Sequence, residues 1–145
     1  MLGVIFSIIA GATMSIQGVM NTRLGEKIGL YESNMFVQGT AFVLSLVAMF
    51  ILGKGSLSSL SDVKKIYWLG GLLGLIITIT VMLGIKGLSP TVSISIILIS
   101  QVIVAALIDF FGLLDSKKVS FHWTNFLGIA LMIGGLIIFK LQINK

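Results

Sequence analysis

Apolar residues fall in five long unbroken runs along this chain, separated by short polar stretches. Each run is close to the roughly 20 residues that a helix needs to cross the hydrocarbon core of a bilayer. The pattern predicts helices at about 2–21, 33–52, 66–85, 91–114 and 123–139, with polar connections at 23–32, 53–65, 86–90 and 115–122. The runs do not alternate apolar with polar positions, as the strands of a membrane β-barrel would. Pro90 has no N–H to leave unpaired and suits the first turn of the fourth helix. The predicted fold is an all-α integral membrane protein, with 1–145 as a single five-helix transmembrane domain and no soluble domain. Ala10-Gly11-Ala12 resembles a signal-peptide cleavage site. No Lys or Arg precedes it, however, and the apolar run continues to Met20, so an uncleaved helix is expected.

Composition shows that the surface, and not only the interior, is apolar. The chain is 57% hydrophobic and 10% charged, where a soluble domain carries about 25% charged residues. Ten Lys and Arg against five Asp and Glu give a net charge of +5. That excess does not point to nucleic acid. The basic residues stand singly or in pairs at the ends of apolar runs, as headgroup anchors do, and form no patch interleaved with aromatics.

The placement of those charges bears on orientation. With five spans, Lys54, Lys64, Lys65, Lys117 and Lys118 fall on the side of the N-terminus, and Arg23, Lys27, Lys86, Lys140 and Lys145 on the other. Orientation normally follows an excess of Lys and Arg in cytoplasmic loops, and five against five is no excess. Either the first helix fixes a single orientation, or copies insert both ways and pair head to tail. An antiparallel pair would rebuild, from one sequence, the inverted repeat common among secondary transporters. This dual-topology homodimer is the expected assembly.

Polar residues inside the runs are the candidate chemistry. Thr13, Gln17 and Asn21 recur at spacings of four in the first helix, beside Ser15 and Thr22. Ser93, Gln101 and Asp109 lie on an i, i+4 row of the fourth, with Ile97 and Ala105 between them. Buried amides need partners, so such stripes face either a neighbouring helix, as adhesive contacts, or a water-filled pathway. Asp109 is the only acid within an apolar run. It is either a functional carboxylate or an interfacial residue paired with a Lys or Arg. Arg23 and Asp109 would meet between antiparallel copies and serve as gate, counter-charge or proton site. Gly70, Gly71, Gly74, Gly128, Ala130, Gly134 and Gly135 are expected at helix-packing or dimer contacts. Enzyme signals are lacking. The chain has no cysteine and one histidine, His122. It has no nucleophile elbow and no phosphate loop, so no catalytic residue, metal or cofactor is expected.

The stretch Gln17-Gly-Val-Met-Asn21-Thr-Arg23-Leu-Gly25 resembles the first-helix signature of the YdcZ-type family in the drug/metabolite transporter superfamily. Phe36-Val-Gln-Gly39-Thr40, Trp68-Leu-Gly70-Gly71-Leu-Leu-Gly74 and the Gln101 to Gly112 segment are similar to its second, third and fourth helices. Leu127-Gly128-Ile-Ala-Leu-Met-Ile-Gly134-Gly135 is similar to its last. The resemblance spans nearly the whole chain. It implies a bacterial five-helix half-transporter in the cytoplasmic (inner or plasma) membrane, pairing antiparallel like a ten-helix relative cut in two. The four-helix multidrug members of the superfamily centre on a first-helix Glu. Here that helix offers Gln17 and Asn21 instead. The function expected is secondary transport of a small, neutral or anionic solute by alternating access. Alternatives are a dual-topology channel, or an accessory or assembly protein without transport of its own. Lipid, solute and a second copy are the expected partners.

Overall fold

A computed structural model of the chain describes residues 1–120 and 122–143. Phe121, Asn144 and Lys145, the last of which enters the charge tally, lie outside the described residues. Among the described residues the long helices are α1 (Leu2–Ile28), α2 (Leu30–Leu52), α3 (Gly70–Gly87), α4 (Pro90–Phe111) and α5 (Trp123–Ile143). Short 3₁₀ turns at Leu57–Asp62, Lys65–Leu69 and Leu113–Asp115 punctuate the connections. Five spans are long and apolar enough to cross a membrane, the third including the turn before α3. By packing, the chain divides into two compact units, Met1–Gly87 and Leu88–Lys145.

In the first unit, α1 packs against α2 and α3, and α2 against α3. Helix α1 does not stop near Asn21 but runs on to Ile28. Arg23, Glu26 and Lys27 are good helix formers, and at 27 residues the helix is about 40 Å long. That exceeds the roughly 30 Å hydrocarbon core, so its charged last turns reach the headgroups. A single residue, Gly29, then ends α1 and starts α2. Its N–H donates to the Gly25 carbonyl, and its own carbonyl accepts from Ser33 N–H, both at 3.0 Å. Its φ of 105° and ψ of 152° lie where only glycine is comfortable. A side chain there would also run into Glu32.

In the second unit, α4 packs against α5. Ser89 caps α4 by accepting from Val92 N–H at 3.4 Å, with Pro90 in the first turn. Gly112, left-handed at φ 67°, ends α4, whose last residue, Phe111, is three short of the 114 expected from hydropathy. Leu114 and Asp115 are also left-handed, at φ 55° and 61°. The chain there folds back on the helix end. Val119 N–H donates to the Asp109 carbonyl at 2.9 Å, and the Ser116 hydroxyl to the Ile108 carbonyl at 3.3 Å. The Asp109 carbonyl is one that a helix C-terminus leaves without an intrahelical partner, whereas the Ile108 carbonyl also accepts from the Gly112 N–H.

Burial is inverted relative to a soluble protein. Among the described residues the buried apolar side chains are Met82, Ile85 and Val92, whereas Asn21, Thr22, Ser33, Asn34 and Ser93 are buried polar residues. Most large apolar side chains are exposed on the chain. Lipid does not drive apolar groups inward as water does, so polar contacts and close backbone approach hold such helices together.

Candidate functional site

The first unit contains a polar seam along its helix interfaces. The Ser33 hydroxyl of α2 donates to the Asn21 carbonyl of α1 at 3.2 Å. Thr22, buried beside it in sequence, turns its hydroxyl to the Gly18 carbonyl at 2.7 Å. One turn further along α2 from Asn34, the Gln38 amide nitrogen donates to the Thr78 hydroxyl of α3 at 3.4 Å, and the Thr78 hydroxyl donates in turn to the Gly74 carbonyl at 2.9 Å. Asn34 is 4% exposed, and its Oδ1 has no hydrogen-bond partner among the described residues.

Glycines bring the helices close enough for these bonds. A Cβ at Gly18 would sit 3.0 Å from Ile85 Cδ1 and 3.1 Å from Val81 Cγ1 of α3. At Gly25 it would collide with the Met82 methyl. Beside Gly25, a pocket of about 230 Å³ opens between the end of α1, the start of α2 and α3. Thr22 and Met82 are in its wall, along with the charged residues Glu26 and Lys86.

The first-helix stripe does not behave as one face. Asn21 is buried, while Thr13 and Gln17 are exposed, and the Thr13 hydroxyl bonds back to the Ile9 carbonyl at 2.8 Å. At about 100° per residue, each step of four drifts by about 40°, so Asn21 has turned into the α2 contact when Thr13 has not. In α4 the steps are eight residues and the drift doubles. Ser93 is buried, Gln101 exposed and Asp109 half-buried. Arg23 forms an ion pair with Glu26 of its own helix at 3.0 Å, the Arg side chain being 72% exposed.

The expected packing glycines divide. Gly74 lies against Gln38, with a Cβ position 3.7 Å from its amide nitrogen, whereas Gly70, Gly71, Gly128, Gly134 and Gly135 have open space where a side chain would go. Ala130 is exposed. Gly135 borders a space of about 280 Å³ between α4 and α5, with Ser95, Met132 and Phe139. Gly18, Gly25, Ser33, Asn34, Gln38 and Thr78 carry the seam yet escape the sequence reasoning above. The signals were present: Gly18 and Gly25 are seven residues apart, two turns on one face, and Asn34 and Gln38 repeat the spacing of four.

No group of His, Cys, Asp and Glu that could hold a metal ion occurs among the described residues. Over residues 2–138 the chain matches the family model DMT_YdcZ, described as "Putative inner membrane exporter, YdcZ". No curated protein and no solved structure matches it. The match and the five apolar spans together make the chain a multi-pass inner-membrane protein of an exporter family, which is not an enzyme class.

Proposed function

This chain belongs to the YdcZ family, and from that premise we propose that it is a secondary transporter which moves a small solute by alternating access between two antiparallel copies. The observation that carries this is the position of two amides. Gln17 and Gln101 are each exposed on their own unit, although they sit about 23 Å and 17 Å from the starts of α1 and α4, well within the span. A primary amide left without partners in hydrocarbon costs about 1–3 kcal/mol on the scale of protein substitutions. A second copy and a solute pathway between the copies would cover both amides. The balanced charge tally lets copies insert in either direction.

In this arrangement Thr13, Gln17, Asn21, Ser93 and Gln101 contribute hydrogen bonds along the pathway. Arg23 exchanges its carboxylate partner between Glu26 of its own helix and Asp109 of a second copy, acting as a gate. Cysteine labelling tests the assembly, because the chain has no cysteine of its own. Ser58→Cys, in the exposed 53–64 connection, is expected to react with membrane-impermeant maleimide from both faces of the inner membrane, in comparable fractions. Reaction from one face alone would refute the antiparallel pair. In proteoliposomes, saturable flux with counter-transport is expected of the transporter, and rapid ohmic flux would assign a channel instead.

A further inference from the structure

We propose that the pocket at the end of the first unit binds a small zwitterion, whose primary ammonium is held by Glu26 and Thr22 and whose phosphate or carboxylate is held by Lys86. Such a site lies wholly within one unit of one protomer and goes beyond the transport reading, since it requires neither a second copy nor flux. The pocket has a volume of about 230 Å³, and Thr22 and Glu26 of α1 share its wall with Met82, Leu83 and Lys86 of α3. That volume falls below the roughly 300–1,000 Å³ of sites for drug-sized ligands, so the ligand, or the part of it that enters, is small.

The two charged residues of the wall have opposite signs, yet they do not pair with each other. Glu26 accepts instead from Arg23 of its own helix, through Oε2 at 3.0 Å. A carboxylate has about four acceptor positions, which leaves Oε1 open to a further donor, and an exposed pair of this kind is too weak to withhold it. Thr22 is 5% exposed, and its hydroxyl donates to the Gly18 carbonyl at 2.7 Å. Towards a ligand its oxygen therefore acts as an acceptor. Acceptors at Thr22 and Glu26 suit an ammonium with several N–H groups, whereas the Lys86 ammonium, a donor only, suits an anionic oxygen. A ligand with a single charge would meet a like charge in the same small space, at Lys86 if cationic and at Glu26 if anionic. A zwitterion answers both. Met82, 2% exposed, gives the pocket an apolar side, which weakens screening by water and strengthens both contacts.

Thr22 lies about 30 Å along α1 from Leu2, the thickness of the hydrocarbon core, so the pocket opens at headgroup level. Two sources offer the required chemistry there: a phosphoethanolamine lipid headgroup and a water-soluble zwitterion. The test follows thermal unfolding of the full chain in phosphatidylcholine nanodiscs, as wild type, E26Q, K86Q and K27Q. Glu26 and Lys86 are exposed, so the ligand-free variants should fold, and Lys27 is a charged control at the same helix end but outside the pocket wall. Glycerophosphoethanolamine and β-alanine are the soluble zwitterions. Ethylammonium and dimethyl phosphate carry one charge each, and glycerophosphocholine replaces the N–H groups by methyls. In a second arm, phosphatidylethanolamine replaces part of the phosphatidylcholine. The wild-type Tm should rise by a few degrees near saturation with a soluble zwitterion or with phosphatidylethanolamine, because a ligand that binds only the folded state stabilises it. The rise should vanish in E26Q and K86Q and remain in K27Q. A rise with a soluble zwitterion identifies a solute site, and a rise confined to the second arm identifies a lipid site. No rise in either arm would overturn the proposal, as would a rise that survives in E26Q or K86Q, or an equal rise with ethylammonium, dimethyl phosphate or glycerophosphocholine.

Discussion

Replacing Gly18 tests whether the α1–α3 seam is set by backbone proximity. A Cβ there lies 3.0 Å from Ile85 Cδ1 and 3.1 Å from Val81 Cγ1, tighter than ordinary van der Waals contact, and Ile85 is buried. Gly18→Ala gains about 1 kcal/mol of helix propensity, but overpacking a filled contact costs about 1–3 kcal/mol. The expected net loss is therefore about 1 kcal/mol. Gly18→Leu drives three further carbons into the same seam and is expected to lose about 3 kcal/mol, at the upper end of the overpacking range. Gly11→Leu is the control, since nothing lies within 4 Å of its Cβ position, and it should match or exceed wild type, by up to about 1 kcal/mol of helix propensity. Ile85→Val removes the atom nearest the new Cβ, so Gly18→Ala with Ile85→Val should show a favourable coupling of about 1 kcal/mol. Equilibrium unfolding in bicelles, by steric trapping or SDS titration, measures all of these, with Ile85→Val alone completing the cycle. If Gly18→Leu proved as stable as Gly11→Leu, the close approach of α1 and α3 at this point would be wrong.

Other perturbations test the neighbouring contacts by the same unfolding measurement. Gly25→Ala clashes only with the terminal methyl of Met82, its other neighbours lying at ordinary contact distance; that methyl is a flexible group that can swing away, so the loss should be smaller than that of Gly18→Leu. Gly29→Ala places a side chain at φ 105°, and strain of this kind costs about 1–3 kcal/mol. Ser33→Ala deletes the bond to the Asn21 carbonyl and should cost about 0.6 kcal/mol, typical of interhelical hydrogen bonds in membranes. Glu26→Gln removes the Arg23 ion pair, whose Arg side chain is 72% exposed. A stability change under about 1 kcal/mol is expected.

Five spans were legible because hydrocarbon thickness sets a length that apolar runs must meet, and little else in a sequence imitates it. Their ends were less so. Hydropathy stops at Asn21 because Arg23, Glu26 and Lys27 are charged, yet those residues favour helix and the backbone continues until Gly29 breaks it. At the other boundary, the apolar pair Leu113 and Leu114 reads as helix by hydropathy, but Gly112 turns left-handed before them. Helix ends follow backbone conformation and capping, which hydropathy does not record.

The polar residues were harder to interpret, because a spacing of four identifies a row and not what faces it. In water, exposure would mark Gln17 as unremarkable and Asn34 as core. In a bilayer the meanings exchange. An amide covered by its own unit still needs a partner and, like Asn34, stands out when it has none. An amide left uncovered, like Gln17 or Gln101, needs something from outside its own unit, since lipid offers no hydrogen bonds. Asn34 therefore lacks a partner inside its own unit, whereas Gln17 and Gln101 call for a surface beyond theirs.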